Sequence, residues 1–191
     1  MIYIMSDEDY FSLGVKSVFN NAGEEVVVLP FASEAWQQQF DVLERGDILL
    51  LAVDFMGLAR RIFQSLAGRE IKICLFINNA CGYEYLTGHH GIVSRRIPIS
   101  MMIAAVHRAV KNNSLLSITE KLTPSERLVM DNLANGVSVS QIAHNLQVTE
   151  KKVYSHKTKA IHRMGIYKLK NKAVLIYGCI SLNGFEIMLS A

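Results

Sequence analysis

The chain has 191 residues, half of them apolar and about a fifth charged, which excludes a disordered or fibrous protein. The longest uncharged stretch near the C-terminus, Ala173 to Phe185, is 13 residues long and carries Ser181 and Asn183, too short and too polar for a membrane span. Net charge is +3, but it is unevenly spread: residues 1–120 hold 10 Lys/Arg against 13 Asp/Glu, whereas residues 121–191 hold 10 against 4. An acidic first part and a basic second part predict two domains with different partners, the second facing a polyanion.

The first part alternates between strand and helix patterns. Met1 to Met5 is an apolar run that stops at Ser6-Asp7-Glu8-Asp9, and Phe11, Val15, Val18 and Phe19 then recur at helical spacing. Glu25 to Leu29 reads as a strand ended by Pro30, and Ala32 to Leu43 as a helix that Ser33 can cap. Asp47 to Val53 is almost wholly apolar, as expected of a strand buried on both faces of a parallel sheet. Leu58 to Leu66 reads as helix, Ile71 to Ile77 as strand, Tyr83 to Leu86 as a weak helix, Ile92-Val93 as a short strand and Ser100 to Lys111 as a helix. The alternation predicts an α/β doubly wound domain rather than an antiparallel one. Lys111-Asn112-Asn113-Ser114 is a polar break that opens a linker.

The second part changes character. Thr123 with Glu126 three residues later fits a capping box, and Pro124 suits the first helical position. Leu128, Val129, Leu133 and Ala134 supply an apolar face, and Asn135-Gly136 ends that helix. Ser138, with Gln141 three later, starts a short helix carrying Ile142, Ala143 and Leu146. After Gln147-Val148, Thr149 can cap a third helix that runs to about Met164. A fourth, apolar helix spans roughly Asn171 to Leu182.

The third helix carries the chemistry. Val153, Ala160, Ile161 and Met164 fall on one face, while Lys151, Ser155, Thr158, Lys159 and His162 fall on another, flanked by Lys152 and Lys157. A solvated basic face is the alternative to a ligand-binding one. A short helix and a tight turn precede this helix, however, which is helix-turn-helix spacing, and lysines with small hydroxyls suit the phosphates and base edges of a major groove.

Leu122-Thr-Pro-Ser-Glu-Arg-Leu-Val-Met, Asn135-Gly-Val-Ser-Val-Ser-Gln-Ile-Ala-His-Asn-Leu, Val148-Thr-Glu-Lys-Lys-Val-Tyr-Ser-His and Arg163-Met-Gly-Ile resemble, in order and separation, the LuxR/FixJ-type helix-turn-helix. The resemblance covers about residues 118–182. It implies a scaffold helix at Thr123 to Asn135, the helix-turn-helix proper at Val139 to Thr158, a recognition helix at Lys151 to Met164, and a helix that often dimerises at Asn171 to Leu182. Lys151, Val153 and His156 occupy characteristic positions, while Lys152 replaces the usual threonine and Ala160 a larger apolar residue. The DNA-binding set it implies is Thr149, Lys151, Lys152, Tyr154, Ser155, His156, Lys157 and Lys159.

The first part resembles the receiver domain of response regulators. Asp47-Ile-Leu-Leu-Leu-Ala-Val-Asp-Phe-Met-Gly57 aligns with the strand that ends in a phosphoacceptor aspartate, and the residue at that position is Ala52. Alanine has no carboxylate to accept a phosphoryl group or bind magnesium. Ser6-Asp7 stands at the acidic pair, and the usual lysine falls near Arg95. Asp54, Asp7 and Glu8 could rebuild an acidic pocket, although a surface carboxylate is the simpler expectation for Asp54. The expected organisation is a pseudo-receiver over 1–112, a linker over 113–121, and an all-α DNA-binding domain over 122–191.

These resemblances imply a cytoplasmic transcription regulator, not an enzyme, that needs no cofactor or metal and no membrane. It is expected to bind double-stranded DNA as a homodimer, or as a heterodimer with a related response regulator. Two alternatives are an interaction protein that modulates another regulator, and response to a small nucleotide such as a cyclic dinucleotide, for which Arg60-Arg61 and Arg95-Arg96 are basic pairs. The N-terminus shows no secretory pattern, and Cys74, Cys81 and Cys179 are expected as reduced thiols. His89-His90 with Cys81 is expected to be a polar loop rather than a metal site, Met101-Met102 and Cys74 core, and Trp36 partial core.

Overall fold

The computed structural model describes residues 1–31, 38–54, 56–66, 69–78, 91–111, 121–169, 172–178 and 181. The chain divides into two compact units, Met1–Ser114 and Leu115–Ala191. Ser33, Trp36, Tyr83 to Leu86, Cys81, His89-His90 and Cys179 lie outside the described residues.

The first unit is a five-stranded parallel sheet, built in chain order from β1 (Ile2–Ser6), α1 (Asp9–Asn21), β2 (Val26–Leu29), β3 (Ile48–Ala52), α2 (Met56–Ser65), β4 (Lys72–Ile77), β5 (Ile92–Ser94) and α3 (Ile99–Lys111). The strand order is β2-β1-β3-β4-β5. In β3 the run Leu49-Leu-Leu-Ala52 is wholly buried, because a central parallel strand meets apolar side chains on both faces. Helix α1 packs on β1 and β2, and α3 on β4 and β5. Their inward residues, Val15, Phe19, Met102, Ala105, Val106 and Ala109, close one core with Ile4, Leu50, Cys74 and Phe76. Burial pushes the Cys74 thiol far above its ordinary pKa, which keeps it a neutral packing group.

Two expectations need correction here. The described part of the Ala32 to Leu43 segment is a 3-10 turn, Gln38–Val42, which buries Phe40 and leaves Val42 exposed. Phe40 and Leu43, three residues apart, are both buried, and a single 3-10 turn is enough to bring such a pair to one side. Met101 is 40% exposed, since the inward stripe of α3 starts one residue later, at Met102.

The second unit is helical: α4 (Pro124–Ala134), α5 (Val139–Asn145), α6 (Glu150–Arg163), a 3-10 turn at Tyr167–Leu169, and α7 over residues 172–178. The Thr123 capping box forms fully: Thr123 Oγ1 accepts from the Glu126 N–H at 3.3 Å and Glu126 Oε2 accepts from the Thr123 N–H at 3.0 Å. The second start forms by half. Ser138 Oγ accepts from the Gln141 N–H at 3.2 Å, but the Gln141 amide donates forward to Asn145 instead. Leu128, expected on the apolar face of α4, is 46% exposed; Val129 and Met130 carry that contact. Among the described residues, no helix is long and apolar enough to cross a membrane.

Candidate nucleic-acid interface

Helix α6 is placed by a small apolar core. Val129 of α4, Ile142 and Ala143 of α5 and Val153 of α6 are buried together, with Leu133, Val137, Val139 and Leu146 packed around them. The turn between α5 and α6 is tight: the Val148 N–H bonds Ala143 O at 3.0 Å, and Gln147 adopts φ +53°. That left-handed conformation at a residue with a Cβ is uncommon and costs local strain, which packing on both sides of the turn offsets. The spacing of the motif locates this turn, but the residue type does not announce its geometry.

Thr149 caps α6, accepting from the Lys152 N–H at 3.3 Å. Its hydroxyl hydrogen remains available to donate outward. From this cap the predicted division of faces holds: Val153, Ala160, Ile161 and Met164 are buried, whereas Lys151, Lys152, Thr158, Lys159 and His162 are exposed and Ser155, His156 and Lys157 are half-buried. Tyr154 is 51% exposed, beside Lys151 and Lys152 in the first turns of the helix. Among the described residues no carboxylate forms an ion pair with Lys151, Lys152, Lys157 or Lys159. All eight predicted site residues thus lie on one helix and its cap. The helix N-terminus adds partial positive charge to the lysines, an arrangement suited to anionic oxygen.

Two features here are absent from the sequence reading. The side chain of Glu126, 3% exposed, caps α4 and also meets Arg163 of α6 at 3.3 Å, so one carboxylate ties the scaffold helix to the last turn of α6. His162 and Tyr167 stack with ring centroids 5.0 Å apart and planes within 3°. They are five residues apart across the α6 terminus, where Gly165 takes φ +72°, so helical periodicity does not pair them. Helix α7 is held by Tyr177, whose buried hydroxyl donates to Asp131 of α4 at 2.6 Å. Burial, then this bond, pushes its pKa far above the usual phenol.

In the first unit, Ala52 ends β3 fully buried, in register with Ser6 of β1. The position matched to a phosphoacceptor therefore presents a methyl group. Beside it, Asp7, Glu8 and Asp54 come together around Arg95, and Asp54, half exposed, is the expected surface carboxylate at the edge of that cluster. Arg95 Nη2 lies 2.7 Å from Asp7 and 3.9 Å from Asp54, and Arg95 Nη1 lies 3.0 Å from Glu8. The Arg95 side chain is 5% exposed, so it is neither a solubilising surface charge nor open to a ligand phosphate.

Residues 120–176 match the family described as bacterial regulatory proteins, luxR family. The second unit carries a LuxR-type helix-turn-helix domain. The transcriptional regulatory protein UhpA of Salmonella typhimurium is 29% identical over 89 residues, covering 41% of this chain and 45% of that protein, so the chain matches a little under half the length of this curated relative. Among solved structures, one of two RcsB dimers bound to two parallel DNAs has a TM-score of 0.48 at 19% identity, over 92% of this chain and 96% of that one. Full-length FixJ from B. japonicum has a TM-score of 0.41 at 14% identity, over 96% and 97% of the two chains. The LuxR-type domain contains all eight predicted site residues, and the β2-β1-β3-β4-β5 order of the first unit is that of a receiver-like doubly wound sheet.

Proposed function

We propose that this protein regulates transcription by binding specific promoter DNA through α6, as a dimer, without control by aspartyl phosphorylation. The observation that carries the reading is the outer surface of α6: lysines with no carboxylate partner among the described residues, together with Thr149, Tyr154, Ser155 and His156, on a helix whose opposite face is locked into a core. Phosphate contacts fall to Thr149, Lys151, Lys152, His156, Lys157 and Lys159. Base readout falls to Lys151, Lys152, Tyr154, Ser155 and Lys159, since the N-terminal part of a recognition helix reaches base edges. Leu175 on α7, an apolar side chain 48% exposed, supports a dimer contact there. The methyl group of Ala52 supports independence from phosphorylation.

Selection of genomic DNA fragments by the purified full-length chain, at near-physiological salt and with no phosphoryl donor, tests this. The expected result is enrichment of a shared, roughly palindromic site. Salt-sensitive binding without enrichment would replace it with a co-regulator that takes its specificity from a heterodimer partner. No binding at low salt would replace it with a protein that acts on another regulator.

A further inference from the structure

In a sheet of order 2-1-3-4-5, ligands sit in the crevice at the carboxyl ends of β1 and β3, where the winding reverses. In the receiver fold that crevice implies a divalent cation. The residues present do not fit one. Ala52 offers no oxygen side chain. Asp7 has both carboxylate oxygens taken, Oδ1 by Arg95 and Oδ2 by the Asp54 N–H at 2.5 Å. The remaining carboxylates, Glu8 and Asp54, are half exposed and share the same guanidinium.

We propose that Arg95 is the permanent cation of this crevice: a tethered guanidinium occupies the charge position of a divalent ion and holds the first unit in one cation-independent state. The inference deepens the reading that aspartyl phosphorylation does not switch this protein. Three observations carry it. First, Arg95 joins three separate chain junctions: Asp7 and Glu8 lie between β1 and α1, Asp54 between β3 and α2, and Arg95 itself between β5 and α3. Two of those junctions, after β1 and after β3, are the strand ends that flank the crevice. Second, the reach of Arg95 is set by packing. Its N–H bonds Ile77 O at 2.9 Å, its guanidinium lies 5.4 Å from the centre of the Phe11 ring, and Phe11 packs edge-on against buried Phe76. Third, arginine offers a planar fork of donors that divides between carboxylates, so a single side chain can serve all of them at once.

The test uses the full-length chain and manganese as the probe. Free Mn2+ is followed by its electron paramagnetic resonance signal, and the thermal midpoint is measured with and without millimolar Mg2+. The wild-type chain is expected to bind no manganese at this cluster and to show an unchanged midpoint. Arg95→Gln and Arg95→Met remove the charge and are expected to bind manganese at least on the order of tenfold more tightly than wild type. Their midpoints should rise with Mg2+, and adding Asp7→Asn should abolish the gain. Arg95→Lys keeps a fixed charge and should stay blind to the ion. A neutral variant that is unfolded alone but folds when manganese is added supports the proposal equally. Wild-type binding that Asp7→Asn removes would overturn it, as would a gain in Arg95→Lys equal to that of Arg95→Gln. Failure of both neutral variants to respond to either ion, folded or not, would also overturn it. Labelling of the wild-type chain by a small-molecule phosphoryl donor tests the underlying reading separately, because a labelled wild type that ignores manganese contradicts that reading and leaves the role of Arg95 standing.

Discussion

Arg95 and Lys152 carry the same charge and are used in opposite ways. Arg95 is drawn into the sheet end of the first unit, 5% exposed, with three carboxylates around it. Lys152 stands on the outer face of α6, with no carboxylate partner among the described residues. A buried cation without anions would cost far too much to persist, so its neighbourhood must be acidic. An exposed cation is solvated by water and keeps its charge available for a polyanion. The first arrangement consumes charge to hold a fold, and the second holds a fold to present charge. Charge thus organises strand ends in the first unit and is displayed on a single helix face in the second.

The lysines of α6 depend on the core beneath them. Ile142→Ala removes the centre of the small core beneath α6 and should cost about 3 kcal/mol, read as a lower urea midpoint, with DNA binding lost in proportion to unfolding. Salt tests the charges themselves. If the four lysines of α6 each neutralise one phosphate, raising salt from about 50 to 200 mM should weaken DNA binding by roughly 150-fold per protomer. A much flatter dependence would mean that the outward face does not meet phosphate. Tyr177→Phe leaves Asp131 without its buried donor and should lower stability by about 1.5 kcal/mol while sparing the salt slope. Lys152→Ala should lower that slope by about one and leave the urea midpoint unchanged; an unchanged slope and affinity would remove it from the interface. The smallest effect is expected of Gly178→Ala. Its new Cβ would stand 3.0 Å from the Ala134 Cβ, and the crowding should exceed the helix-propensity gain by less than about 1 kcal/mol, seen as a small fall in thermal midpoint.

Legibility in the sequence followed from how local the cause was. The caps at Thr123, Ser138 and Thr149 are set by residues within three positions, and each forms at the predicted residue. The inward stripe of α6 needs only the helical period, and all four of its members are buried. The Ser138 capping box was half legible, because Gln141 had a second partner one turn on at Asn145. Leu128 and Met101 were misplaced for another reason: an apolar residue one position off the contact stripe reads like its neighbour until the packing partner is known.

Composition, periodicity and motif order were enough to determine two units, a doubly wound sheet followed by a helix-turn-helix, and the helix whose outer face is basic. Those features depend on contacts within a few residues or on average hydrophobicity, both of which are written along the chain. Long-range packing was needed to make Arg95 an interior cation shared by Asp7, Glu8 and Asp54, to bring Glu126 to Arg163, and to close α7 onto Asp131 through Tyr177. These pairs are separated by 37 residues or more, or reach across different helices and strand ends. An arginine in a sequence looks the same whether water or carboxylates solvate it, and the choice is made when the strand ends are brought together.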